Sequence, residues 1–483
     1  LTPDPALPGA AEADAAVRGS GIKLAAEVAG RLLSLATSFL LAVGLGVERF
    51  GVFAAASGLA VILAEAADLG LQGTAVRALV ARTIGLAAML KAKALLTVAV
   101  GTAGLLLIAA GPALAGLPRG LAPALLVPLV FYYALAGWAE LLGVALRAAG
   151  HRAEEAAALL ALRAGGLVAV VAALRIGADL SGIAWAHALS TAPALVVAAL
   201  LARRAYHGQV RALAEPAPRA VLRTALPLAV NGGLALLSLR LELLVVYFVR
   251  GAAESGLFGA ALKVIESLNG IPSAVAAGAL PSLTREALHA LRAVRARVAG
   301  MMALIAVPGA AGLLLSAVGV IALLGGGYEG AAGPLRVLAG AVVPLFMNTV
   351  LMHALIAAGH AGTLPRLTAL RVGLAGLLAA ALVPPFGATG AAAGFLLSEA
   401  VLTLLAARAC ANVGFAVPVS GPLARAALLA LPMAAVVAVA GGGLAVSVAL
   451  GVATYAVTLG ATWRVKPELV PLQIGPGHRG WAE

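Results

Sequence analysis

Lys23, Glu27 and Arg31 follow one another at intervals of four in an otherwise apolar stretch. On a helix they form one stripe, with the carboxylate flanked by cations. Further charges sit inside apolar runs: Glu65 and Asp68, Glu140, Arg240 and Glu242, Lys263 and Glu266, Arg336, and Glu399. A charge near the centre of a bilayer costs about 2.5 to 3.5 kcal/mol, so leaving this set against lipid would cost on the order of 30 kcal/mol. These groups must face protein or water, and two kinds of chemistry suit them. Arg31, Arg240, Lys263 and Lys23 would hold an anionic group in a wet cavity. Glu27, Glu65, Asp68, Glu140, Glu242 and Glu266 would either bind a coupling proton or sodium ion or only neutralise nearby cations.

Spacing separates these pairs further. Lys263 and Glu266 are one helical turn apart and can pair, whereas Arg240 and Glu242 point about 200° apart around a helix and need other partners. Lys23 is close enough to a span end to extend to the membrane surface instead. Arg31, two turns deeper, reaches water less easily. Glu65 and Asp68 lie near an inner end, where solvation competes with a role in a pathway. Asn231 suits a hydrogen bond between helices, and His187 and His353 suit packing.

Much other chemistry is missing. There is no Gly-x4-Gly-Lys-[Ser/Thr] phosphate loop, and the only aspartates are Asp4, Asp14, Asp68 and Asp179, which leaves no Asp-x-Asp site for a nucleotide sugar. Seven histidines and the single Cys410 form no metal-ligand pattern, so neither a metal nor a resident cofactor is expected. The net charge of +13 comes from basic residues scattered between apolar runs, without a basic face interleaved with aromatics, so nucleic acid is not an expected partner. With short connections throughout, no enzyme is expected.

These charges need helices to carry them. At 62% hydrophobic, 11% charged and mean hydropathy +1.05, the chain holds more apolar surface than a soluble core could hide. The expectation is an all-α polytopic membrane protein. Apolar runs able to cross roughly 30 Å of hydrocarbon fall near 22–46, 51–69, 93–111, 121–146, 156–175, 182–202, 225–249, 256–279, 298–325, 333–357, 364–385, 388–408, 422–440 and 443–463, predicting fourteen transmembrane helices. Lys91 and Lys93 weaken the third span and Gly441-Gly442-Gly443 breaks the last two. Basic residues crowd alternate connections, among them Arg77, Arg82, Lys91, Lys93, Arg147, Arg152, Arg163, Arg203, Arg204, Arg366 and Arg371, while the other side holds Arg49, Arg119, Arg175 and Arg250. The positive-inside rule then puts both termini in the cytoplasm.

The chain also repeats itself. Ala145-Leu146-Arg147-Ala148-Ala149-Gly150-His151 returns as Ala354-Leu355-Ile356-Ala357-Ala358-Gly359-His360, matching at six of seven positions. Ala161-Leu162-Arg163 returns as Ala369-Leu370-Arg371, and Gly46-x4-Gly51-x-Phe53-x-Ala55 as Gly251-x4-Gly256-x-Phe258-x-Ala260. Six helices per copy is an even number, so the halves share one orientation and a pseudo-twofold axis along the membrane normal. The expected plan is a cytoplasmic tail over 1–20, a first lobe over 21–205, a linker over 206–224, a second lobe over 225–411, two extra helices over 412–465 and a tail over 466–483. Both tails are expected to be disordered, and the first lacks the pattern of a signal peptide.

Several of these marks occur together in one known group. The polar stripe of the first span leads to Gly46-Val47-Glu48-Arg49-Phe50-Gly51-Val52-Phe53, then to Ala67-Asp68-Leu69-Gly70-Leu71. Later come Gly256-Leu257-Phe258, Pro281, Tyr328, Ala358-Gly359-His360 and Pro384-Pro385-Phe386-Gly387-Ala388-Thr389-Gly390. Over residues 20 to 410 the chain resembles the polysaccharide-biosynthesis branch, the Wzx-type flippases, of the multidrug, oligosaccharidyl-lipid and polysaccharide (MOP) exporter superfamily. The resemblance implies a MATE-like fold and a flippase for undecaprenyl-pyrophosphate-linked oligosaccharide in the bacterial cytoplasmic membrane. It also implies polymerase and glycosyltransferase partners. A cationic chamber suits a pyrophosphate head, while the polyprenyl tail stays in lipid. The alternatives are a cation-coupled multidrug exporter, which would want a carboxylate-rich cavity, and a polytopic glycosyl ligase, which the short outer connections disfavour.

Overall fold

The computed structural model describes residues 10–68, 70–81, 83–114, 121–207, 218–272, 288–440 and 443–465, and among them the regular secondary structure is entirely helical. In chain order the α-helices are α1 (Ala10–Ala66), α2 (Leu71–Val80), α3 (Leu86–Leu114), α4 (Pro123–Ala148), α5 (Arg152–Arg175), α6 (Leu180–Leu189) and α7 (Thr191–Ala205). There follow α8 (Pro218–Arg250), α9 (Ala252–Leu268), α10 (Leu288–Ala322), α11 (Ala332–Ala357), α12 (Leu364–Asn412), α13 (Ser420–Val439) and α14 (Gly443–Val465). Among the described residues ten stretches are long and apolar enough to cross a membrane, and the chain is a multi-pass membrane protein. Two of the ten, Ala25–Ala66 and Ala361–Asn412, run to 42 and 52 residues. At 1.5 Å per residue each is about twice a bilayer core in length. Both are broken, α1 at Gly46 (φ 73°, ψ 168°) and α12 at Gly387 (φ 54°, ψ −134°).

Some sequence expectations shift. The tail expected over 1–20 is helical from Ala10, as its alanine-rich composition favours. Residues 1–9, most of the linker (208–217), the end of the eighth span (273–279) and the tail 466–483 lie outside the described residues. Where apolar run length predicts a third span from 93, α3 begins at Leu86 and takes Lys91 and Lys93 into the helix. Arg163 and Arg371, read as connection cations, lie well inside α5 and α12.

The repeated sequences fold into repeated turns. Helix α4 ends with His151 N–H donating to Leu146 O at 2.9 Å, and α11 ends with His360 N–H donating to Leu355 O at the same 2.9 Å. Gly150 and Gly359 take φ of 87° and 79° to allow it. This is the six-to-one closure of a Schellman motif, which needs a left-handed residue just past the helix. Gly46 and Gly251, also matched, sit at φ 73° and 91° before their helices resume.

Two compact units emerge, residues 1–270 with 372–391, and residues 271–371 with 392–483. In the first, α1 is the hub, packed on α4, α5, α8 and α9 through small side chains such as Ala55, Ala56 and Ala60, which are fully buried. The closest approach is reciprocal. A Cβ on Gly51 would fall on the Ala252 carbonyl oxygen, and a Cβ on Gly256 would fall on the Val47 carbonyl oxygen. Gly51 matches Gly256 and Val47 matches Ala252 under one offset, so the repeats meet through the same patch used twice, as across a twofold axis. Glu254 and Arg250 steady the break in α12: Glu254 Oε2 accepts from Ala388 N–H at 2.8 Å, and Arg250 Nη1 donates to Pro384 O at 3.4 Å.

In the second unit α10 packs on α11, α13 and α14. Tyr455 of α14 donates its hydroxyl to Leu304 O of α10 at 2.7 Å. Leu351, Leu355, Leu367, Leu402, Ala406 and Cys410 form an apolar core there.

Candidate functional site

Helix α9 carries Lys263 and Glu266 three residues apart, and α8 presents Arg240 to the same carboxylate. Lys263 Nζ lies 2.7 Å from Glu266 Oε2, and Arg240 Nη1 lies 2.7 Å from Glu266 Oε1. Each oxygen serves one cation, and two cations on one carboxylate leave a net positive charge. Arg240 passes Gly58 of α1, where a Cβ would lie at an ordinary contact distance of 3.8 Å from Arg240 Cδ. The side chains are partly exposed, 15% for Arg240 and 33% for Lys263. They are neither free in bulk water nor sealed in a core.

Arg31 approaches the end of the same helix. A Cβ on Gly270 would overlap the Arg31 Nε, Cδ and Cζ, so the guanidinium stem lies flat against the backbone after α9. Four residues before it, Glu27 is half-buried. The side chain of Lys23 lies outside the described residues. Arg31, Arg240 and Lys263 thus all turn toward the α8 and α9 region of the first unit.

A second polar group gathers at the end of α1. Lys93 of α3 pairs with Asp68 at 2.8 Å, both side chains at most 5% exposed, and its amine passes Gly137 of α4. Glu65 is within electrostatic reach of Asp68, Glu140 and Lys93 and lies near Gly232 of α8. Glu140 Oε2 accepts from Gln72 Nε2 at 3.4 Å, while its Oε1 lies 3.7 Å from Arg163 Nη2. Lys93 and Asp68 form a closed, buried pair; Glu140 and Arg163 form an open one.

Other candidates fall elsewhere. Glu242 is buried on α8 while Arg240, two residues away, reaches Glu266 instead. Arg336 is exposed near the start of α11. Glu399 is buried in the second unit, paired to Arg371 at 2.7 Å and accepting from Asn348 Nδ2 at 2.6 Å. His187 packs its ring 4.1 Å from Tyr132, and His353 Nδ1 donates to the Thr349 carbonyl oxygen at 2.7 Å. The side chain of Asn231 lies outside the described residues.

Sequence reasoning missed Lys93, Arg163, Gln72 and the Arg371 group. The repeat of Ala-Leu-Arg at 161–163 and 369–371 was the available signal, because a matched arginine in two copies marks a helix position rather than a loop. Among the described residues no three His, Cys, Asp or Glu side chains group to hold a metal ion. The arrangement can hold an anion through Arg31, Arg240 and Lys263, with Glu266 limiting the excess charge.

Comparison with known proteins agrees on the architecture. The family model for polysaccharide biosynthesis proteins matches residues 16–285. The lipid II flippase MurJ, in an inward closed conformation, is similar at TM-score 0.73 and 12% identity, covering 90% of this chain and 97% of that one. An inward-facing multidrug resistance MATE family transporter of the MOP superfamily gives TM-score 0.62 at 17% identity, covering 82% and 99%. A MOP superfamily transporter from Pyrococcus furiosus gives 0.55 at 17%, covering 83% and 96%. No curated protein sequence matches.

Proposed function

The chain belongs to the polysaccharide biosynthesis protein family, and on that premise we propose that it is a flippase for an undecaprenyl-pyrophosphate-linked oligosaccharide. It moves the head group from the cytoplasmic to the outer leaflet of the bacterial cytoplasmic membrane by alternating access. The observation that carries this reading is the shared carboxylate, Glu266, holding Arg240 and Lys263 side by side between α8 and α9. Two fixed cations on one carboxylate suit an oxyanion and repel a cationic drug, which disfavours a multidrug exporter. The excess charge would cost several kcal/mol against hydrocarbon, so the site is wetted or occupied in each working state.

The reading carries a topology with it. Counting α1 and α12 as two spans each, α6 with α7 as one, and α8 and α9 as one each gives fourteen spans, with the repeats as two six-helix lobes over 21–205 and 225–411 and two further helices to 465. Both termini are then cytoplasmic. Glu266 neutralises its cations, and Glu65, half-buried beside the Asp68 pair, is the better place for a coupling proton or sodium ion. Polysaccharide polymerase and glycosyltransferases are the partners this role calls for.

The test is complementation in cells from which the native gene has been removed. Wild-type protein restores surface polysaccharide, and Arg31→Ala with Lys263→Ala does not, at equal expression. Unchanged polysaccharide in the double variant rejects the proposal. Loss of drug resistance with polysaccharide intact would instead favour a multidrug exporter.

A further inference from the structure

Arg163 and Arg371 are matched between the repeats, and the same offset of 208 carries Thr191 onto Glu399, while the offset of 209 that relates α4 to α11 carries Glu140 onto Thr349. Their surroundings differ in kind. In the second half the arginine is buried against its carboxylate: Arg371 Nη2 and Glu399 Oε1 are 2.7 Å apart with both side chains 5% exposed. Asn348 Nδ2 donates to that carboxylate at 2.6 Å, and the Phe395 ring lies 5.1 Å from the guanidinium. In the first half the position of Glu399 is taken by Thr191, whose hydroxyl donates to Ala188 O at 2.6 Å. The carboxylate has moved to α4 as Glu140, 3.7 Å away, and the pair is open, with Arg163 31% and Glu140 42% exposed. That is beyond the 2.7 to 2.9 Å of a charge-assisted hydrogen bond.

Arg163 also stands beside the cationic site. Its Cγ would lie 3.6 Å from a Cβ on Gly30, the residue before Arg31. Tyr132 of α4 is within electrostatic reach of Arg163, and Tyr133, the next residue, is within electrostatic reach of Arg240. Gln72 adds an amide donor, held by the other oxygen of Glu140. Arginine, phenol and amide together put donors around one weakly held carboxylate.

We propose that Arg163 is a second oxyanion site, which takes a phosphate of the transported pyrophosphate head when that group displaces Glu140. This rests on the flippase reading above and adds a subsite to it. A guanidinium forks onto two phosphate oxygens, and a pyrophosphate carries more charge than the carboxylate it replaces. Glu140 then acts as a competing anion, occupying Arg163 between substrates and lowering the cost of an unaccompanied cation in the membrane. A purely structural pair would instead hold α4 to α5 in every state.

The test is calorimetric titration of the purified full chain in detergent with farnesyl pyrophosphate and, separately, inorganic pyrophosphate. Arg163→Gln should weaken binding about tenfold or more, as expected for a lost charged hydrogen bond, and Arg163→Lys should fall between. Glu140→Gln should bind more tightly than wild type, because the competitor is neutral. Preference for the farnesyl form identifies a lipid head, and equal affinity identifies a free oxyanion. Farnesyl pyrophosphate binding unchanged in both Arg163→Gln and Arg163→Lys, with Arg240→Gln impaired, overturns this inference alone. Weaker binding in Glu140→Gln also overturns it. A wild-type chain that binds neither probe overturns the flippase reading and this inference together. Should Arg163→Gln not fold, Arg163→Lys and Glu140→Gln decide the matter.

Discussion

Replacing Gly51 or Gly256 by alanine should destabilise the protein, although alanine is the better helix former. In an open helix the exchange gains about 1 kcal/mol. Here each new Cβ would fall on a carbonyl oxygen of the facing helix, Ala252 for Gly51 and Val47 for Gly256. Backbone cannot rotate aside as a side chain can, so the overpacking cost belongs at or above the upper end of about 1 to 3 kcal/mol. The net loss is about 2 kcal/mol for either variant. The two clashes are relieved by the same separation of α1 from α9, so the double variant should cost clearly less than the sum, with a coupling of about 1 to 2 kcal/mol. Unfolding in detergent titrated with SDS, followed by tryptophan fluorescence, measures all three. Gly101→Ala on α3, where a Cβ meets open space, is the contrast and should be neutral or stabilising. Stabilisation in either contact variant, or strict additivity in the double, would refute the reciprocal packing of the repeats.

Three further outcomes follow from the same geometry. Asp68→Asn leaves Lys93 buried without its carboxylate and should lose about 3 to 5 kcal/mol, whereas Asp68→Leu with Lys93→Met should recover most of it, both read by the same unfolding titration. Glu266→Gln removes the anion shared by Arg240 and Lys263, so affinity for farnesyl pyrophosphate should rise severalfold while stability falls; calorimetry and unfolding together check the pair. Gly270→Ala pushes Arg31 off the backbone and should weaken farnesyl pyrophosphate binding as Arg31→Gln does, within about twofold of it in calorimetry.

The sequence made the repeats legible because glycines mark backbone that no other residue adopts easily. Gly46 with Gly251, and Gly150 with Gly359, each returned the same turn in both halves. Apolar run length likewise located most helices, and the impossible i, i+2 pairing of Arg240 with Glu242 correctly sent Arg240 to look elsewhere. What the sequence hid were partners distant along the chain. Lys93 looked like a loop cation because its neutralising Asp68 is on another helix, 25 residues away. Arg163 and Arg371 were placed in connections because a lone arginine reads the same at a helix end or deep within one. Their carboxylates come from different helices in the two halves, a change that tertiary contact reveals and local pattern does not.

Translocation itself is the most direct measurement of the central claim. Purified chain reconstituted into proteoliposomes should move a fluorescent undecaprenyl-pyrophosphoryl oligosaccharide between leaflets, with accessibility read by a membrane-impermeant quencher. Wild-type protein should speed exchange well above protein-free vesicles, and Arg240→Gln with Lys263→Gln should return it to background while the purified variant stays folded. Exchange at the wild-type rate in that variant would contradict the account.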